Sequence, residues 1–193
     1  MRDAILRKAR ESAALKLQFV EENAGLIERC ARALAERFAA GGRLLTLGNG
    51  GSACDAEHVA VEFTHPIVEK RRPLPALALA TSTAFVTAVG NDTDFSRVFT
   101  DQIDLYARKE DAVLGISTSG ASANVTRALG RARQLGCLTI GFSGRDGGQM
   151  PDLCELSFVV RSWSVHRIQE THTLLLHLLW DQLHIALGED DVL

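Results

Sequence analysis

Five short apolar runs, Arg43 to Leu47, Ala76 to Ala80, Ala112 to Ile116, Cys137 to Phe142 and Leu156 to Val160, each end at Gly, Ser, Thr or Asn, and helical stretches separate them. Runs of this length without polar alternation are strands covered on both faces, and each parallel pairing needs a crossover helix packed back on the sheet. The pattern predicts an α/β protein: a doubly wound, flavodoxin-like five-stranded parallel sheet flanked by helices. In such sheets ligands bind outside the carboxyl ends of the strands, so the loops that follow the strands are where chemistry is to be sought.

Ahead of the first run, Asp3 to about Ala39 is rich in Ala, Leu, Glu and Arg, with Leu26, Ile27, Cys30, Leu34 and Phe38 at helical spacing. This predicts two N-terminal helices, broken near Asn23 and ending at Gly41-Gly42, used in packing and in association with other copies. A chain of 193 residues suits one domain, 1–193, without repeats or linkers. Lys plus Arg number 21 and Asp plus Glu 24, a formal net charge of −3, and the longest basic run is Lys70-Arg71-Arg72. No nucleic acid or membrane partner is expected from such a balance. The four cysteines form no CxxC pair, the chain opens on the charged stretch MRDAILRKAR, and the apolar stretch Leu174 to Trp180 is short and carries His177. Reduced thiols and a cytoplasmic location are the expectation.

Two of the loops look made for an anion. The first run leads into Gly48-Asn49-Gly50-Gly51-Ser52-Ala53 and the third into Ser117-Thr118-Ser119-Gly120-Ala121-Ser122, and both feed helices. Glycines let backbone approach a phosphate, free N–H groups at a helix start point outward, and hydroxyls add neutral donors. Ordinary capped turns account equally well for either loop alone. The first loop also fits a G-x-G-x-x-A dinucleotide fingerprint, but the next run ends in Thr81-Ser82 where that fingerprint wants an acidic residue, and no Gly-Lys-Ser/Thr pattern exists. A nucleotide is the weaker candidate.

Beyond the first loop, Asp55-Ala56-Glu57-His58-Val59-Ala60-Val61-Glu62 puts His58 and Glu62 one helical turn apart on one face, able to share a metal or a substrate. A solvated ion pair is the plainer reading of such spacing. Near the C-terminus, Arg167 to His177 reads as a helix carrying Gln169 and His177, and a histidine among leucines is more often a hydrogen-bonded core residue than a catalyst. Gln169 and His177 are separated by roughly 12 Å of helical rise, so one metal would join both only through a bent helix or through two subunits.

With these motifs together, GNGGSACDAEHVAVE at 48–62, VGND at 89–92, GISTSGASANV at 115–125, GFSGRDGG at 141–148 and RIQETHTLLLH at 167–177, the chain resembles the sugar isomerase (SIS) domain family and its bacterial phosphoheptose isomerase branch. The resemblance implies an aldose-ketose isomerase that interconverts sedoheptulose 7-phosphate and D-glycero-D-manno-heptose 7-phosphate through an enediol, the entry to heptose for lipopolysaccharide and other cell-surface polysaccharide. It makes Glu62 the base and His177 the acid, the two tasks that proton transfer between C1 and C2 requires. It also implies one zinc per chain on His58, Glu62, Gln169 and His177, with Glu62 changing its coordination when it acts as base. The phosphate is assigned to Ser52, Ser117, Ser119 and Ser122 beside Asn49, Gly50 and Gly51. Thr118 is placed against the sugar, while Asp55, Asn91, Asp92 and Gln169 serve ligands or substrate hydroxyls. A homotetramer with active sites between subunits is the family arrangement.

Two stretches depart from the family pattern. Ser162-Trp163-Ser164-Val165-His166 lacks the Asp that many relatives carry before the Gln, and His65-Pro66 stands where a basic pair is common. Sugar-hydroxyl recognition is expected to differ there. Two other readings stay open: a tetrameric binding protein for the replication initiator, whose type generally lacks the imidazole found here at His177, and an isomerase or sensor for another phosphosugar.

Overall fold

Residues 1–67 and 71–191 are described by a computed structural model. The apolar runs become β1 (Leu44–Gly48), β2 (Ala76–Ala78), β3 (Ala112–Ser117), β4 (Leu138–Gly144) and β5 (Leu156–Val160), all parallel and ordered β2-β1-β3-β4-β5. Every residue of β1, β3 and β4 is buried, as their unbroken apolar character requires. The edge strand β2 stops at Ala78, short of the predicted Ala80, where Thr81 Oγ1 turns back to donate to the Ala78 carbonyl at 2.9 Å. The predicted doubly wound fold is the observed one.

Helices α1 (Arg2–Ala39), α2 (Gly51–Thr64) and α7 (Val165–Ala186) cover one face of the sheet. Their Leu34, Ala56, Phe63, Leu175 and Leu179 pack with Leu114, Ile140 and Phe158 of the strands. On the other face, α4 (Thr100–Tyr106), α5 (Ala123–Gln134) and the short α6 (Met150–Leu153) bury Ile103, Val125, Leu129 and Met150 against Leu45, Leu47 and Val113. The helix α3 (Thr83–Asp92), starting on the Ser82 cap, packs mainly on the 3-10 turn Phe95–Arg97 and has no buried residue.

One prediction fails on α1, which is a single helix of 38 residues rather than two. Asn23 does not cap a new helix; its Nδ2 donates to the Phe19 carbonyl of the preceding turn at 2.8 Å. The buried stripe Phe19, Ile27, Cys30 and Leu34 keeps one face continuously against α7, and packing of this kind outweighs a weak local preference. The predicted end holds: Gly41 takes φ +80° just beyond the last turn. The helix is also longer than the sheet is wide, so its first ten residues are exposed, Ile5 and Leu6 among them.

The two described arginines of the basic run part company, since Arg72 is exposed and Arg71 is not. Lys70 lies outside the described residues, as do the last two of the predicted domain. Arg71 is buried and paired with Asp181 at 2.9 Å. Among the described residues no helix is long and apolar enough to cross a membrane. All four cysteines are free, with Cys30, Cys137 and Cys154 buried and Cys54 exposed.

Candidate active site

The chain goes from β1 to the edge strand β2 on one side and returns to pair β3 on the other, so the strand order reverses between β1 and β3. Their carboxyl ends open a crevice at that switch point. Gly48 pairs with Ile116 in the register, which brings the glycine loop and the serine loop side by side. Gly50 takes φ +55° at the start of α2, a backbone region that only glycine enters without cost. At Gly51 a Cβ would collide with the Gln169 amide, so this glycine makes room for α7 to lie against the loop.

In the second loop the Ser117 hydroxyl lies 3.0 Å from that of Ser122 and 3.4 Å from that of Ser119, with Ser122 at the start of α5. Ser52 and Ser117 are buried, while Thr118, Ser119 and Ser122 are half-buried. Gly120, at φ +64°, sits so close to the Gly147 carbonyl that a side chain has no place, and this packs the β4 loop beneath the serines. The two loops are clasped by a reciprocal amide pair: Asn49 Nδ2 donates to Asn124 Oδ1, and Asn124 Nδ2 to Asn49 Oδ1, both at 2.8 Å.

Helix α2 carries the crevice wall away from the loops. His58 Nε2 and Glu62 Oε1 are 3.2 Å apart, as the one-turn spacing predicts. α7 runs alongside in the same direction, and the His177 ring meets the His58 ring edge-on with centroids 5.0 Å apart. The ligand atoms of His58, Glu62 and His177 all fall within 4.8 Å of one another, a compact set of two imidazoles and one carboxylate. Two nitrogens and an oxygen so placed suit a zinc ion and leave a fourth position free. Partial burial, with the nearby His58 adding to it, pulls the His177 pKa below its ordinary value, and Glu62 opposes the shift. Its imidazole is therefore neutral near neutral pH. Burial pushes the Asp55 carboxyl up to about 6 against the pull of His58, and its Oδ2 is buried with no hydrogen-bond partner.

Two groups of predicted residues are not drawn into this cluster within one chain. Gln169 has its amide at Gly51, about two helical turns along α2 from His58, because α7 is straight and parallel to α2. A metal on His58, Glu62 and His177 therefore does not reach the Gln169 of the same chain. Asn91 and Asp92 are exposed at the end of α3, where Asn91 Nδ2 donates to Asp92 Oδ1 at 2.6 Å and no hydrogen bond joins either to the loops. Sequence reasoning passed over Asn124, whose sole local signal is an amide just after the serine stretch. It also passed over Trp180, three residues beyond His177.

Two hydroxyl-lined turns at the switch point of a parallel sheet define a phosphosugar-binding α/β protein, and the chain belongs to the SIS domain family, whose model matches residues 9–144. Its relatives narrow the class to the phosphoheptose isomerases. The chain is 47% identical over 177 residues to the phosphoheptose isomerase of Desulfovibrio desulfuricans, covering 92% of this chain and 84% of that one. It is 43% identical over 179 residues to that of Aquifex aeolicus, covering 93% and 94%. The structure of phosphoheptose isomerase from Neisseria gonorrhoeae superposes with a TM-score of 0.88 at 34% identity, covering 94% of this chain and 97% of that one.

Proposed function

We propose that the chain isomerises sedoheptulose 7-phosphate to D-glycero-D-manno-heptose 7-phosphate in the cytoplasm, supplying heptose for lipopolysaccharide and related surface polysaccharide. The observation that carries this reading is the meeting of Glu62 and His177 across the α2–α7 seam, on the helix that the glycine loop starts. Ser52, Ser117, Ser119 and Ser122 hold the phosphate with the backbone of Asn49, Gly50 and Gly51, so that no lysine is needed. Thr118, on the serine loop, and Asp55, one turn into α2, are assigned to the sugar and its hydroxyls.

Glu62 removes a proton from C1 while the neutral His177 imidazole offers an N–H to the C2 oxygen, giving the enediol. Glu62, now protonated, returns the proton to C2. The O1 proton passes to the imidazole side, and C1 is left as the aldehyde. A zinc ion on His58, Glu62 and His177 would polarise the substrate oxygens. Glu62 then has to loosen its hold on the metal to reach C1.

Homotetramer formation with shared active sites is part of the same reading. It is supported by the first turns of α1 with their exposed Ile5 and Leu6, by α3, which has no fully buried residue, and by the distance of Gln169 from its own chain's histidines. In that arrangement the fourth metal ligand, and Asn91 and Asp92, come to a site from another copy.

The test is a coupled isomerase assay over a panel of ketose phosphates. Turnover of sedoheptulose 7-phosphate is expected to lead, and Glu62→Gln and His177→Gln are expected to lower kcat roughly a hundredfold or more with unchanged circular dichroism. Full activity in both variants would remove the assignment. Elemental analysis of protein purified without added metal should find about one zinc per chain, lost in His58→Ala.

A further inference from the structure

Helix α2 ends against a proline. Pro66 stands four residues after Glu62, where the next turn would send its N–H back to the Glu62 carbonyl, and proline has no N–H to send. The neighbouring carbonyls are provided for by backbone, since His65 N donates to Val61 O at 2.8 Å and Leu74 N to Phe63 O at 2.7 Å. The Glu62 carbonyl instead receives the indole Nε1–H of Trp180 at 2.9 Å. Trp180 follows His177 by three residues on α7, the spacing that places two side chains on one helical face. The indole thus crosses the same seam as the catalytic pair and grips the backbone of the residue whose carboxylate faces His177.

The donor is itself held in place. Trp180 is 4% exposed, the Arg71 guanidinium lies 5.4 Å from its ring centroid, and the His184 ring lies 4.6 Å away. Arg71 is in turn anchored on Asp181 at 2.9 Å. A buried indole N–H needs an acceptor, and the one it takes here is the carbonyl that the proline leaves without its helical partner, so two unmet groups satisfy each other across the seam.

We propose that Trp180 is a positioning residue for the isomerisation: its indole N–H replaces the hydrogen bond that Pro66 withholds and so fixes the last turn of α2, and Glu62 with it, opposite His177. This rests on the reading that Glu62 acts on the substrate carbon. A base displaced by about an ångström loses turnover steeply, whereas the phosphate loops sit at the other end of α2 and keep their grip on substrate.

The experiment replaces Trp180 by benzothienylalanine, which keeps the bicyclic shape and has sulfur in place of the N–H, with Trp180→Phe as the genetically encoded partner. Both are expected to lower kcat by tenfold or more with KM changed less than about twofold. Adding Pro66→Ala to Trp180→Phe restores a backbone N–H four residues after Glu62 and is expected to recover most of the lost turnover, which mere repacking would not do. Wild-type kcat in the benzothienyl protein overturns the inference, as does a loss in Trp180→Phe that Pro66→Ala leaves untouched. Glu62→Gln, measured alongside, separates the two levels. If it keeps full turnover the catalytic reading itself fails. If it is inactive while the benzothienyl protein is unimpaired, only the role of Trp180 falls.

Discussion

The two ends of the sheet treat their polar groups in opposite ways. At the amino end, Asp111 is 1% exposed and accepts from Arg43 N at 2.8 Å, from Arg43 Nη2 at 2.9 Å and from Arg108 N at 3.0 Å, while Arg37 reaches over to the Lys109 carbonyl at 2.7 Å. These groups answer one another. At the carboxyl end, Asp55 Oδ2 has no partner among the described residues and the Ser117 hydroxyl meets other hydroxyls, while His58, Glu62 and His177 converge further along α2 with capacity to spare. Both ends are built from the same strands, yet one is closed by its own side chains and the other is completed by a ligand. Unsatisfied polar groups cost stability, so an unpaired carboxylate beside two hydroxyl-lined loops marks where binding repays that cost.

Breaking the catalytic side of this comparison should give the largest effect. Glu62→Gln, expected to lower kcat a hundredfold or more, should leave the urea midpoint within error, since among the described residues only His58 pairs with its charge. Asp111→Ala should do the reverse. It removes a buried carboxylate that three donors face, so unfolding free energy should drop by about 3 kcal/mol while kcat of the folded protein stays within roughly twofold. Equal loss of activity in folded Asp111→Ala would erase the contrast between the ends.

His172 sharpens the comparison by pH. It is fully buried on α7, with Nε2 3.0 Å from the Ser143 carbonyl and Nδ1 without a partner, and burial lowers its pKa from 6.5 to about 4. Above pH 6.5 both folded and unfolded chains hold it neutral. As pH falls from 6.5 towards 4 the unfolded chain takes a proton and the folded chain does not, so stability is lost across that window by roughly 2 to 3 kcal/mol. Urea melts of wild type and His172→Gln should show the shallower acid loss in the variant, and parallel curves would contradict the assignment. The smallest effect is expected at the loop clasp. Asn124→Ala removes both amide bonds to Asn49 and should cost about 1 to 2 kcal/mol, with KM for the phosphosugar rising several-fold because the two loops no longer hold one register. An unchanged KM would mean that the loops are aligned by the sheet alone.

Much of this architecture was legible before folding was considered. The apolar runs located all five strands within a few residues, and the Gly and Ser content of the loops located the carboxyl-end crevice. The spacing of His58 and Glu62 announced a shared face, and the structure keeps it. The failures are of another kind. Asn23 looked like a break because its own side chain favours turns, but a stripe packed on α7 carries the helix through it. Nothing local marks Arg71 as a core residue, yet it lies buried on Asp181 and Trp180. Gln169 is a different case: the rise along α7 already required a bend or a second subunit to bring it to the His177 ligands, and within one chain its amide lies at Gly51.

The sequence by itself determined which segments are strands, which turns can accept an anion and which side chains share a helical turn, because hydrophobic period and backbone freedom are local properties that neighbouring residues express together. Only the tertiary structure decided that α7 lies parallel to α2, that His177 meets His58 and Glu62, and that Trp180 completes the carbonyl above Pro66. Those contacts join residues far apart in the chain, and they arise from how two helices settle on one buried sheet, a packing that no local pattern encodes.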